Sequence, residues 1–209
     1  MAQSVGVDGV TTLIAGWTDQ STSPYSTGLE SGGSASFSAG FDSATQNGYS
    51  AWSVPAWAAS STASLGGTTN TNYLIKVYVP AAFSSAHMDV DCTTAGTVTH
   101  AYAGLYSIAG TKLILSADIQ STWTTGKMTY AWTAAQPLTG NTYYYVALLF
   151  TDSAAPALAA TPASAVTNYN LASGTENYAS NGTAATLPAS YTLTSNTPLA
   201  TAIPWVALY

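Results

Sequence analysis

The run Tyr143–Phe150 (YYYVALLF) constrains this chain more than any other feature: eight residues without a charge, a glycine or a proline. It is too short to cross the ~30 Å hydrocarbon core of a bilayer as a helix. Aromatic and β-branched residues suit a pleated, packed surface. A short apolar run without alternation therefore predicts a strand buried on both faces. The turn Thr139-Gly140-Asn141 precedes it.

Further strands are legible on either side. Tyr73–Val79 (YLIKVYV) is closed by Pro80, and His87–Cys92 alternates, with Met88, Val90 and Cys92 on one face and His87, Asp89 and Asp91 on the other. Val98–Ile108 and Lys112–Asp118 flank the turn Ala109-Gly110-Thr111, a hairpin signature. Met128, Tyr130 and Trp132 alternate with Thr129, Ala131 and Thr133, and Tyr191–Thr194 and Ile203–Leu208 are late candidates. Roughly eight strands at this spacing predict an all-β fold, an antiparallel β-sandwich of jelly-roll type over residues 71–209, with negligible helix. Its core should include Leu74 or Ile75, Val90, Leu105, Leu113, Leu115, Trp132, Val146 and Leu148. No internal repeat at a fixed period points to a solenoid or propeller.

Residues 1–70 read as an irregular N-terminal arm or attachment region. Gly28–Gly40 is rich in small residues, Asn47-Gly48 is a hairpin-turn signal, Pro55 argues against a central strand, and Gly66–Asn70 is a second breaker cluster. Such a segment needs a partner to offset its ordering entropy, and Leu13, Ile14 and Trp17 are its candidate anchors.

Charge narrows the function classes. The chain has three lysines (Lys76, Lys112, Lys127), no arginine and nine acids, a net charge of −6. Nucleic-acid binding by phosphate neutralisation needs clustered cations, so no nucleic-acid partner is expected. Six Trp, fourteen Tyr and four Phe argue against disorder. The single cysteine, Cys92, excludes an intrachain disulfide framework. The opening MAQSVGVDGVTTLIAG lacks the basic region of a secretory signal, so synthesis in a cytosol and no membrane partner are expected.

The string Ala103-Gly104-Leu105-Tyr106, Gly110-Thr111-Lys112-Leu113, Ser116-Ala117-Asp118, Trp123 and Leu138-Thr139-Gly140-Asn141-Thr142-Tyr143-Tyr144-Tyr145-Val146-Ala147-Leu148-Leu149 resembles β-sandwich modules of virion surface proteins in tailed phages of actinobacteria, including minor tail and head-decoration proteins. The likeness covers about residues 70–155; the N-terminal part matches only through its Trp and Gly content. It is a packing pattern with no chemistry in it. It implies a structural role on the outer surface of a virion, after synthesis in the host cytoplasm, without saying where on the particle.

Few residues carry candidate chemistry. On a strand, His87, Asp89 and Asp91 share one face, and an imidazole with two carboxylates could hold a divalent metal. The same alternation describes a solvated face opposite a Met/Val/Cys core, and this is the reading taken, with no metal or other cofactor expected. His100 shares its face with Val98 and Tyr102, but no G-x-S-x-G elbow accompanies it, so a structural histidine is expected. Cys92 lacks a cationic neighbour and reads as an inert buried thiol. A glycosidase would need two acids across a cleft. Asp89 and Asp91 read as solvated, and Asp118 and Asp152 read as turn caps, so no enzymatic activity is expected. Asn181-Gly182-Thr183 reads as a turn. Trp17, Trp52, Trp57 and Trp123 sit near small-residue loops; they suit a core or interface, or a platform for sugars.

The expected function is a phage structural protein, a head decoration protein on the outer capsid surface whose partner is the major capsid protein or another virion protein. The absence of coiled-coil heptads or a fibre repeat favours this. The alternative is a minor tail or tail-fibre module recognising a host cell-surface glycan. The apolar stretch Ala154–Ala165 suggests a homo-oligomer, a trimer for instance.

Overall fold

The computed structural model describes residues 44–65, 70–162, 175–199 and 202–209. The expected arm anchors Leu13, Ile14 and Trp17, and the stretch Gly28–Gly40, lie outside the described residues. Among the described residues there is no α-helix; the chain forms β1 (Ala51–Trp52), β2 (Ser61–Ser64), β3 (Thr71–Val79), β4 (Phe83–Thr94), β5 (Thr97–Ser107), β6 (Lys112–Leu115), β7 (Gly126–Leu138), β8 (Thr142–Ala154), β9 (Ala157–Ala160), β10 (Tyr178–Thr183), β11 (Thr197–Pro198) and β12 (Val206–Leu208). All pairings are antiparallel, and the strands form one continuous sheet of 12 in the order β2-β9-β4-β12-β1-β3-β8-β5-β6, with β7 on β4, β10 on β3 and β11 on β10. The protein is an all-β, antiparallel sandwich, as the alternation predicts.

The sheet folds over at β1, which pairs with β12 and, through Trp52 opposite Tyr78, with β3. One core forms between the layers. Ile75 and Val77 of β3, Leu105 of β5 and Val146 and Leu148 of β8 meet Met88 and Val90 of β4, Tyr130 and Trp132 of β7 and Val206 of β12. β8 lies between β3 and β5, with Tyr73 opposite Leu148 and Leu105 opposite Val146. Its opposite face, Tyr145, Ala147 and Leu149, packs with Leu74, Tyr106, Leu187 and Tyr191 in a second cluster. β8 is therefore buried on both faces over Tyr144–Phe150, while Tyr143 at its start is exposed. Of the expected core, Leu74, Ile75, Val90, Leu105, Trp132, Val146 and Leu148 are buried. Leu113 and Leu115 are only half-buried, because they lie on the edge strand β6.

The structure corrects three readings. Tyr191–Thr194 is not a strand. Tyr191 belongs to the irregular cover over β8, where its N–H donates to the Gly110 carbonyl and its hydroxyl to Asn72 Oδ1 at 3.0 Å. Gly110 makes this approach possible: its φ is +81°, and a Cβ would stand 2.4 Å from the Tyr191 carbonyl oxygen. Secondly, part of the Ala154–Ala165 stretch is the strand β9, lying between β2 and β4, with Leu158, Ala159 and Ala160 buried within the chain. Leu158, Ala159 and Ala160 are thus covered by this protein itself, while residues 163–165 of the stretch lie outside the described residues. Thirdly, residues 44–65 are integrated in the sheet through β1 and β2, with Ala51, Ala63 and Leu65 buried. β1 is only Ala-Trp and β2 is built from Ser, Thr and Ala, so one is too short and the other has too little hydrophobic contrast to show an alternation.

Candidate functional site

The His87/Asp89/Asp91 face is where the structure departs most from the sequence reading. Asp89 is fully buried, not solvated. β4 pairs with β7 so that Asp89 lies opposite Thr129. The segment before β1 and the residue after β12 then close over it. Asp89 Oδ1 accepts hydrogen bonds from Thr129 Oγ1 (2.7 Å) and the Tyr209 hydroxyl (3.2 Å); Oδ2 accepts from the Tyr49 hydroxyl (3.0 Å) and pairs with Lys127 Nζ (2.9 Å). The Lys127 ammonium stands 5.2 Å from the Tyr49 ring centroid. Hydrogen bonds to Tyr49 and Asp89 hold that ammonium above the ordinary lysine range. Burial, reinforced by Asp89, pushes the Tyr49 phenol up.

His87 takes no part as a ligand beside Asp89. It is half-buried and stacks on Tyr209 at 5.3 Å and 20°, while its backbone N–H donates to the Tyr209 carbonyl. Asp91 lies opposite Lys127 in the ladder, yet the Lys127 amine turns to Asp89. With both Asp89 oxygens engaged by protein donors, the face is a structural knot. Among the described residues no group of three or more His, Cys, Asp or Glu could hold a metal ion.

A second acid cluster lies on the β5 side. His100 Nδ1 stands 2.6 Å from Asp118 Oδ2, and the imidazole stacks on Tyr102 at 6.1 Å and 11°. Asp118 Oδ1 accepts from the backbone N–H groups of Ala101 and Gln120, each at 3.0 Å. Asp118 thus caps the turn after β6. Burial acts to raise its pKa, but His100 and the two backbone donors outweigh this and hold the carboxyl below its usual range. Both side chains are exposed to solvent, 55% for His100 and 35% for Asp118, so this pair carries little of the fold.

The remaining candidates are dispersed. Cys92 is buried, its thiol pushed up chiefly by burial. The Asp152 side chain lies outside the described residues. Asn181-Gly182-Thr183 lies within β10, where the Asn181 amide donates to the Thr192 carbonyl and to Asn196 Oδ1. Trp123 packs on Phe150 and Tyr130 and donates to the Ala95 carbonyl, and Trp52 is half-buried against the core. Trp57 is 66% exposed.

One feature had no signal beyond strand parity. Tyr78 of β3 and Tyr143 of β8 lie opposite each other and are both exposed, with ring centroids 5.1 Å apart. Each sits at the end of its strand, past the reach of the cover over β8. No protein-family model and no curated protein matches the chain.

Proposed function

We propose that this protein is a non-enzymatic structural component of a bacteriophage virion, a decoration protein bound to the outer capsid surface. The observation that carries the reading is how the charge is handled. Lys76 donates to the Thr175 carbonyl, Lys112 to the Leu187 carbonyl, and Lys127 pairs with buried Asp89. With every lysine already paired within the chain, though Lys127 itself is exposed, little uncommitted cationic charge is left for contact with a partner, which suits a dry interface. The resemblance over residues 70–155 supports the same reading. So does the internal occupation of both acid clusters, which favours a structural over a catalytic role. The proposed attachment lies in the N-terminal part of the 1–70 region, ahead of β1, with Leu13, Ile14 and Trp17 as anchors.

The test is co-sedimentation of purified protein with undecorated heads. Binding should change little between low and high salt, and Leu13→Ala with Trp17→Ala should weaken it. No co-sedimentation at any salt would overturn the reading. The second reading, a tail module recognising a host glycan, is favoured by the exposed Tyr78–Tyr143 pair. Binding to host cell walls without binding to heads would establish it in place of the first.

A further inference from the structure

We propose that the Tyr78–Tyr143 rim is a stacking site for a neutral pyranose oligosaccharide. Tyr78 and Tyr143 project from the side of their layer opposite the main core, to which their neighbours Val77, Val79 and Tyr144 belong. Ile108 lies at the same rim, because it follows Ser107, which pairs with Tyr144. These are three of the exposed large hydrophobic residues of the described chain, the other being Trp57. They are gathered at one end of β3, β8 and β5.

Charge and size select the occupant. Lys76 shares the face of Tyr78, but its ammonium lies 5.5 Å from the Tyr143 centroid and 5.9 Å from that of Tyr145, and it donates to the Thr175 carbonyl. The rim therefore presents aryl surface beside an ammonium already engaged by the Thr175 carbonyl and the faces of Tyr143 and Tyr145, which matches an uncharged ligand. Two half-exposed tyrosines and one isoleucine offer apolar surface on the order of 300 Å². A stable protein interface needs about 800 Å² from each partner. The rim is too small for that and fits two or three sugar rings.

A pyranose offers one face of C–H bonds and a perimeter of hydroxyls. The C–H face lies on the tyrosine rings. The hydroxyls reach Asn141, whose Oδ1 already accepts from the Tyr78 hydroxyl at 3.3 Å and which borders the rim. Asn141 has a φ of +55°, so the turn holds it in a conformation that asparagine tolerates better than most residues. The site rests on the glycan-recognition reading and does not require attachment to heads.

The experiment is an NMR titration of the full chain with cellohexaose and with chitohexaose, following the tyrosine ring signals, with polygalacturonate as a charged comparison. Saturable shifts at Tyr78 and Tyr143 are expected with a neutral hexasaccharide. Tyr143→Ala should weaken binding about tenfold, while Tyr143→Phe, which keeps the ring, should bind like the parent. The proposal is overturned by no saturable shift with either neutral sugar, by unchanged binding in the Tyr78→Ala, Tyr143→Ala double variant, or by a salt-sensitive preference for polygalacturonate. Retained binding to host cell walls alongside such a failure would sink this site and leave glycan recognition to another surface.

Discussion

Asp89 and Asp118 are two carboxylates with similar neighbours and opposite fates. Each meets a basic side chain and stands near a tyrosine, Lys127 and Tyr49 for Asp89, His100 and Tyr102 for Asp118. Asp89 has no exposed surface and gathers four donors from three parts of the chain: Tyr49, then Lys127 and Thr129 of β7, and Tyr209. Asp118 is open to water and bonds residues within 18 positions of itself. The kind of partner therefore does not set what a polar cluster contributes. Burial and sequence separation set it, because a buried carboxylate without donors has no water to fall back on, and distant donors tie distant segments together.

The largest effect expected is from Asp89→Ala. It leaves the Tyr49, Thr129 and Tyr209 hydroxyls and the Lys127 ammonium without their acceptor and should cost about 3–5 kcal/mol, read as a lower urea midpoint. A loss no greater than that of an exposed aspartate would erase the distinction between the two clusters. Lys127→Met removes the cation and leaves the carboxylate its three hydroxyl donors, so about 1–2 kcal/mol is expected in the same measurement. Tyr209→Phe removes one hydroxyl, which reaches Asp89 Oδ1 and Thr129 Oγ1, and keeps the stack on His87, so about 1 kcal/mol should be lost. If Tyr209→Phe proved as costly as Asp89→Ala, Tyr209, not the Asp89 carboxylate, would be the centre of the knot.

On the exposed side, Asp118→Ala removes a turn cap and should cost about 1 kcal/mol or less, and His100→Ala under about 0.5 kcal/mol. The pH dependence sharpens the contrast. Because the folded Asp118 carboxyl lies below its unfolded value of 3.8, its stabilisation is fully present above that value and is lost as pH falls through the folded one. Asp118→Asn should therefore flatten the acid limb of stability against pH below about pH 4. An unchanged acid limb would show that Asp118 is no better stabilised in the folded chain than in the unfolded one.

How much of this was legible follows from the range of each interaction. β3, β5, β7 and β8 are rich in Tyr, Val, Leu and Trp with clear alternation or an unbroken run, so both their existence and their inward residues could be read locally. β1, β2 and β9 are two to four residues of mostly Ala, Ser and Thr. They exist because longer neighbours offer a ladder, and no local contrast announces them. Asp89 was misread for the same reason. Its alternation with Met88 and Val90 placed it correctly on the face away from the core, but alternation does not tell whether that face meets water.

The fold class, the turn at Gly110, the double-sided burial of β8 and the small number of charges follow from period-two patterning, turn residues and composition, which are properties of neighbouring residues. Only the tertiary structure decided that Tyr49 and Tyr209 close over Asp89, that Leu187 and Tyr191 cover one face of β8, and that Tyr78 and Tyr143 are left exposed beyond that cover. Tyr49 and Tyr209 stand 40 and 120 residues from Asp89 along the chain, and what covers a face depends on how such distant segments pack.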